Sequence, residues 1–151
     1  MSFVICERGC RHWGPGGAAG LLFHTDDRVL LQLRQYSHHS DTWSTPGGSI
    51  EVGESPLQAA LREVEEELHG LPSGFTPVVG HVADHGGWSY HTSLCAVPAP
   101  VRVRPRNWES AAAEWVPMED VESLHLHPGF AAAWPDLRRQ LRGTPQIALV
   151  S

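Results

Sequence analysis

GGSIEVGESPLQAALREVEEELHG, running from Gly47 to Gly70, is the stretch whose reading decides the fold. It opens on paired glycines, crosses a polar loop holding Gly53 and Glu54, and continues into a segment of helical period. Ser55 suits the N-cap, Pro56 the first helical position, and Gly70 followed by Pro72 the end of the helix. Leu57, Ala60, Leu61, Val64 and Leu68 recur at three- and four-residue spacing, which predicts one apolar stripe facing a sheet. The acidic residues are then expected on the other side. Just upstream, Trp43 to Gly48 (WSTPGG) reads as a turn or ligand-approach loop, because Pro46 removes a backbone donor and the glycines admit close approach.

Outward from this stretch, Ala18 to His24 and Val29 to Leu33 are nearly continuous apolar runs, as expected of strands covered on both faces, with residues 25–28 as their hairpin loop. Arg34 to Asp41 is polar and reads as a loop. Residues 75–84 and 89–97 predict two further strands separated by His85 to Trp88. Pro98, Pro100 and Pro105 mark a loop to about Ser110. A strand over 113–116, a helical turn over 119–124 and a last helix over 130–141, interrupted or restarted at Pro135, complete the pattern. Strands surrounding helices in this order predict an α/β protein with a mixed sheet between helical layers.

The length, 151 residues, fits a single domain over 1–151, with 1–14 as a loosely ordered lead segment. Eleven Lys and Arg stand against 17 Asp and Glu, for a formal charge of −6. That balance argues against a nucleic-acid polymer or an anionic membrane as partner, and requires an anionic ligand to be met by local positive charge or a metal. No window reaches the length of a membrane span and the start lacks a signal-like apolar run, so a cytoplasmic location is expected. Cys6, Cys10 and Cys95 are odd in number and form no CxxC pair, which favours reduced thiols. Cys6, Cys10 and His12 cluster, but no second ligand pair at zinc spacing follows.

Glu63, Glu66 and Glu67 are three and four residues apart, so their carboxylates share one helix face and repel one another. A divalent cation removes the repulsion, and hard oxygen donors suit Mg²⁺, with Mn²⁺ the alternative, better than Zn²⁺. Mg²⁺ commonly joins one or two carboxylates to substrate phosphates, so the cluster implies a phosphorylated substrate. Arg62 is placed to pair with neighbouring acids or to reach back to Glu54 and fix the loop on the helix. The plainer reading of EVEEEL is a solvated acidic surface. The spacing shifts the balance: five residues separate Gly48 from Glu54, seven separate Glu54 from Arg62, and Glu63, Val64, Glu66 and Glu67 follow at fixed offsets.

This pattern resembles the signature of the Nudix hydrolases, MutT-like proteins included, G-x5-E-x7-R-E-U-x-E-E-x-G-U with U a bulky aliphatic. Gly48, Glu54, Arg62, Glu63, Val64, Glu66 and Glu67 match in place. His69 stands where the family has glycine, with Gly70-Leu71 one residue late, which is expected to add a residue at the helix end. The resemblance implies a Nudix-type α/β/α sandwich with a mixed β-sheet, and Mg²⁺-dependent hydrolysis of a phosphoric anhydride in a nucleoside diphosphate linked to a group X. It also implies Glu66 and Glu67 as principal metal ligands, Glu63 as a further ligand or general base, and a contribution from the Gly48 carbonyl. Glu54 and Arg62 would brace the loop, and Glu109 or Glu114, with Glu109 favoured, would complete the catalytic set.

Substrate contacts are sought at Arg34, the most attractive phosphate cation, whose plainer role is a partner for Asp41. His38, His39 and His91 could meet phosphate, and Trp88 and Tyr90 could stack on a base, although each taken singly is more often packing. Trp43, Trp115 and Trp134 read as structural. The expected partner is a small-molecule nucleotide; a homodimer is compatible with the sequence and not required by it. The leading substrate class is a (deoxy)nucleoside triphosphate or an oxidised form of one. ADP-ribose or another nucleotide sugar is the second reading, and a non-catalytic nucleotide-binding module, which would have no need of three metal-binding acids, the third.

Overall fold

The computed structural model describes residues 3–5, 11–13, 16–35, 40–108 and 110–143, with side chains for all of these but 3–5 and 11–13. Cys6, Cys10, His38, His39, Glu109 and the side chain of His12 lie outside the described residues.

Among the described residues, eleven strands and two α-helices follow in chain order. β1 (Phe3–Ile5) pairs antiparallel with β2 (Arg11–Trp13). β3 (Ala18–Thr25) and β4 (Arg28–Arg34) are the two apolar runs, and their burial is nearly unbroken. β5 (Trp43–Ser44) and β6 (Gly47–Ser49) come from WSTPGG, and α1 (Pro56–Glu67) from the helical stretch. Then come β7 (Leu68–His69), β8 (Val78–Asp84), β9 (Ser89–Ala96), β10 (Arg104–Pro105) and β11 (Ser110–Pro117). A 3-10 turn over Met118–Ser123 leads to α2 (Pro128–Gly143).

The main sheet runs β11-β4-β3-β9-β8, with β5 on β4 and β6 on β3. It is mixed: β3 lies parallel to β9, and the other pairings are antiparallel. One core, with Leu21, Phe23, Leu30, Ala60, Val64 and Leu68, fills the space between the sheet and α1. The other, with Leu22, Val29, Leu31, Val121, Trp134 and Leu137, fills the space under α2. The alternation of β3 and β4 between these two cores is why both strands read as continuous apolar runs, and the expected α/β/α sandwich follows from it. Asp136 and Gln140 of α2 fasten that helix to β8: the His81 ring Nδ1 lies 2.8 Å from Asp136 Oδ2, and the Gln140 amide donates to the Gly80 carbonyl.

Three local expectations change. The buried positions of α1 are Ala59, Ala60, Val64 and Glu67, while Leu57 is exposed. The helix is therefore turned so that its small residues meet the sheet, and one of its acids goes inward with them. His69 adds nothing to the helix, which ends at Glu67; Leu68 and His69 are drawn out by pairing with Pro105 and Arg104, and Arg106 N donates to the Glu67 carbonyl at 2.7 Å. α2 continues through Pro135 without restarting, because Phe130, Ala133, Trp134, Leu137 and Leu141 bury one continuous face. That burial outweighs the single backbone bond a helical proline forgoes.

Candidate active site

The helix start is built as its sequence predicts. Ser55 Oγ accepts from Gln58 N at 3.1 Å, and the Gln58 amide oxygen accepts from Ser55 N at 2.9 Å, a closed capping box. This fixes the point where the loop enters α1, and so fixes Glu54 opposite Arg62, two turns along. Arg62 donates from Nε to Glu54 Oε2 at 2.7 Å and from Nη2 to Glu54 Oε1 at 2.9 Å. Nη2 also reaches the Ser49 carbonyl at 3.0 Å, and Nη1 reaches Glu63 Oε1 at 2.9 Å. Glu66 Oε1 lies 3.6 Å from Nη1. One guanidinium thus ties together β6, the polar loop and the helix. The bond to Arg62 is the main reason the Glu54 carboxyl is held down at about 2. In return Glu54, above all, pushes the Arg62 guanidinium further up from its ordinary value.

Gly48 sits directly under Glu63. A Cβ at position 48 would stand 2.5 Å from Glu63 Oε2, a distance no real contact allows, so only glycine lets the carboxylate close over the β6 backbone. Beside it, Glu67 is 6% exposed, buried against the sheet, where Gln32 Nε2 donates to its Oε1 at 3.1 Å. Gln32 is buried too, and its Oε1 has no hydrogen-bond partner.

The floor is completed by Tyr90, whose hydroxyl lies 3.1 Å from Thr45 Oγ1. Gly20 makes room for it, since a Cβ there would stand 2.6 Å from that hydroxyl oxygen. Burial raises the Tyr90 phenol, the Thr45 bond and the charge of Arg34 oppose the rise, and Glu67 and Glu63 add to it. Arg34 lies on β4 at the same parity as Gln32, so both side chains leave the sheet on the α1 side. Its link to Asp41 is through backbone, Asp41 N donating to the Arg34 carbonyl at 2.7 Å, while its own Nε is buried without a hydrogen-bond partner.

The structure therefore brings Gly48, Glu54, Arg62, Glu63, Glu66, Glu67, Arg34 and Tyr90 to one end of the sheet. Trp88 borders it, its ring centroid 6.3 Å from that of Tyr90. The Tyr90 hydroxyl is held by Thr45. Glu114 stays apart: it is exposed and pairs in register with Leu31, a residue of the α2-side core. His91 is half-buried, with burial lowering its imidazole pKa. Gln32 was missed by the sequence reading, since one glutamine within an apolar strand has no periodic or motif signal.

Among the described residues no three His, Cys, Asp or Glu side chains converge closely enough to hold an ion as they stand. Arg62 draws Glu63 and Glu66 to itself. The chemistry of the donors nevertheless fits a hard divalent cation. Three carboxylates and the backbone carbonyl of Gly48 are all oxygen donors, the set that suits Mg²⁺ or Mn²⁺.

A mixed sheet between helices, with a glycine loop and an acidic helix locked by one arginine, defines the class, and comparison with known proteins agrees. The NUDIX domain pattern matches residues 14–137. The crystal structure of a Nudix hydrolase from M. smegmatis, RenU, superposes with a TM-score of 0.80 at 39% identity, covering 95% of this chain and 96% of that one. A Mycobacterium tuberculosis protein named "Putative 8-oxo-dGTP diphosphatase 3" is 38% identical over 148 residues, 90% of this chain and 68% of that protein. A nucleoside triphosphate pyrophosphatase/Nudix hydrolase fusion protein of Bifidobacterium longum is 34% identical over 149 residues, and there the chain spans only 31% of the relative's length. This chain belongs to the Nudix hydrolase family. Among the described residues no helix is long and apolar enough to cross a membrane.

Proposed function

We propose that this chain is a divalent-metal-dependent pyrophosphohydrolase that cleaves the anhydride of a nucleoside diphosphate linked to a further group, with (deoxy)nucleoside triphosphates, oxidised ones included, as its substrate class. The observation that carries the reading is the Arg62 junction, which ties Glu54 to Glu63 and holds Glu63 over Gly48, while Glu67 is buried at the end of the same helix. A module that only binds nucleotide has no use for three acids held at such cost in mutual repulsion. The 38% identity to the Mycobacterium tuberculosis relative supports a nucleoside triphosphate over a nucleotide sugar.

In this reading Glu66 and Glu67, with Glu63 and the Gly48 carbonyl, hold Mg²⁺ or Mn²⁺. When bound, the ion offsets diphosphate charge and stabilises the leaving oxygen. Arg62 and Glu54 keep the loop and helix at a fixed separation, so the carboxylates are in place before substrate arrives. Glu63, or Glu109, takes the proton of the attacking water. Arg34, its Nε unpartnered among the described residues, receives phosphate oxygens. Trp88 and His38 border the nucleotide.

The test is a substrate panel with purified protein: dGTP, 8-oxo-dGTP, the other nucleoside triphosphates and ADP-ribose, each with Mg²⁺ and with EDTA. Release of pyrophosphate or phosphate that needs Mg²⁺ and is fastest on a triphosphate is the expected result. Preference for ADP-ribose would reassign the substrate, and binding without turnover would leave only a nucleotide-binding module.

A further inference from the structure

We propose that Gln32 is a positioning residue for Glu67: its amide turns the carboxylate toward the metal site without neutralising it. The inference rests on the reading of the site as a metal-dependent pyrophosphohydrolase and deepens it. Gln32 lies in the middle of the sheet, paired with Ala113 of β11 and Ser44 of β5, and is 2% exposed. Its neighbours of like parity on the α1 side include Leu30, part of the apolar core. Burying an amide there is unfavourable unless its hydrogen bonds are made. The sheet does not require it, because the strand pairing is carried by backbone groups.

What the amide does make is the bond to Glu67 Oε1 at 3.1 Å. Facing a carboxylate, the amide must present its NH₂ group, which sends its oxygen away from Glu67, and that oxygen is the buried atom left without a partner. Glu67 is the last residue of α1, where the helix dipole disfavours a negative charge, and the last turn contains no basic residue. Arg62 attends to Glu54, Glu63 and Glu66. Glu67 instead receives a neutral donor. A guanidinium here would cancel the charge a cation needs; an amide fixes one oxygen and adds no charge of its own.

The experiment uses Gln32→Met, similar in length and apolar, and reads Mn²⁺ affinity of the nucleotide-free protein by calorimetry together with kcat and KM on 8-oxo-dGTP. Circular dichroism and the melting temperature monitor the fold. The expected result is Mn²⁺ affinity lowered about tenfold and kcat lowered by a similar factor with KM little changed, in a folded protein. In a Glu67→Gln background the same substitution should cause no further loss of Mn²⁺ affinity, since the effect passes through Glu67. Should Gln32→Met fail to fold, Gln32→Asn, an amide one methylene shorter, is read by the same measurements and the same expectation. A folded variant with Mn²⁺ affinity within twofold of wild type, or an equal loss in the Glu67→Gln background, overturns the proposal alone. A wild-type protein that neither binds Mn²⁺ nor hydrolyses a nucleotide overturns the underlying reading, and this one with it.

Discussion

Arg62 grips Glu54 with two parallel hydrogen bonds, Nε to Oε2 at 2.7 Å and Nη2 to Oε1 at 2.9 Å, and the same guanidinium reaches Glu63. Lysine has the charge but not the planar fork, so it cannot reproduce this geometry. Arg62→Lys should therefore lower kcat/KM by about a hundredfold, the scale of an ångström-sized misplacement of reacting groups. Steady-state kinetics with Mg²⁺ would detect it, and a variant within threefold of wild type would remove the junction from the account.

The same pair has a pH signature. The Arg62 bond holds the Glu54 carboxyl at about 2, below the 4.5 of the free side chain. A depressed folded-state pKa contributes stability in full above the unfolded value, and loses it as pH falls from about 4.5 toward 2. Glu54→Gln should lower the melting temperature at pH 7, and the gap from wild type should narrow below pH 4. Thermal melts across that range would show a constant gap if the pair were not responsible.

Gly48→Ala places a methyl group against the Glu63 carboxylate. The side chain must swing away from the β6 backbone, with the Arg62 bond strained in consequence. Activity should fall at least about tenfold. The loss of melting temperature should be small, because the displaced group is at the rim and not in either core. Wild-type activity in Gly48→Ala would mean that this close approach is dispensable.

Cys95 lies in the α1-side core and burial pushes its thiol up from 9.0 to about 12. It should resist alkylation in the native protein at pH 8 and react on unfolding. Peptide mapping by mass spectrometry separates it from Cys6 and Cys10. The direction for stability is opposite to that of Glu54: as pH rises past 9 the unfolded thiol ionises while the folded one does not, so this residue increasingly favours unfolding.

The parts legible in the sequence are those with local signals. Ser55 and Pro56 announce the start of α1, the runs 18–24 and 29–33 announce β3 and β4, and the spacing from Gly48 to Glu67 announces the Arg62 junction. What stayed hidden depends on tertiary contact. The larger side chains Leu57 and Leu61 suggested one inner face, but the helix approaches the sheet on Ala59 and Ala60, which leaves Leu57 outside and takes Glu67 inside. β6 is three residues of glycine and serine whose strand character comes only from pairing with Ala18, Ala19 and Gly20. Pro135 reads as a helix break, yet Trp134 and Leu137 on either side of it are buried in one core.

The central claim, that the acids of α1 form a metal-dependent hydrolytic site, is tested most directly by Mg²⁺-dependent turnover of 8-oxo-dGTP and dGTP by wild type and Glu67→Gln side by side. The account predicts turnover in the wild type that EDTA abolishes, and a kcat reduced by about a hundredfold or more in the variant. Equal Mg²⁺-dependent turnover in a folded Glu67→Gln protein would contradict it.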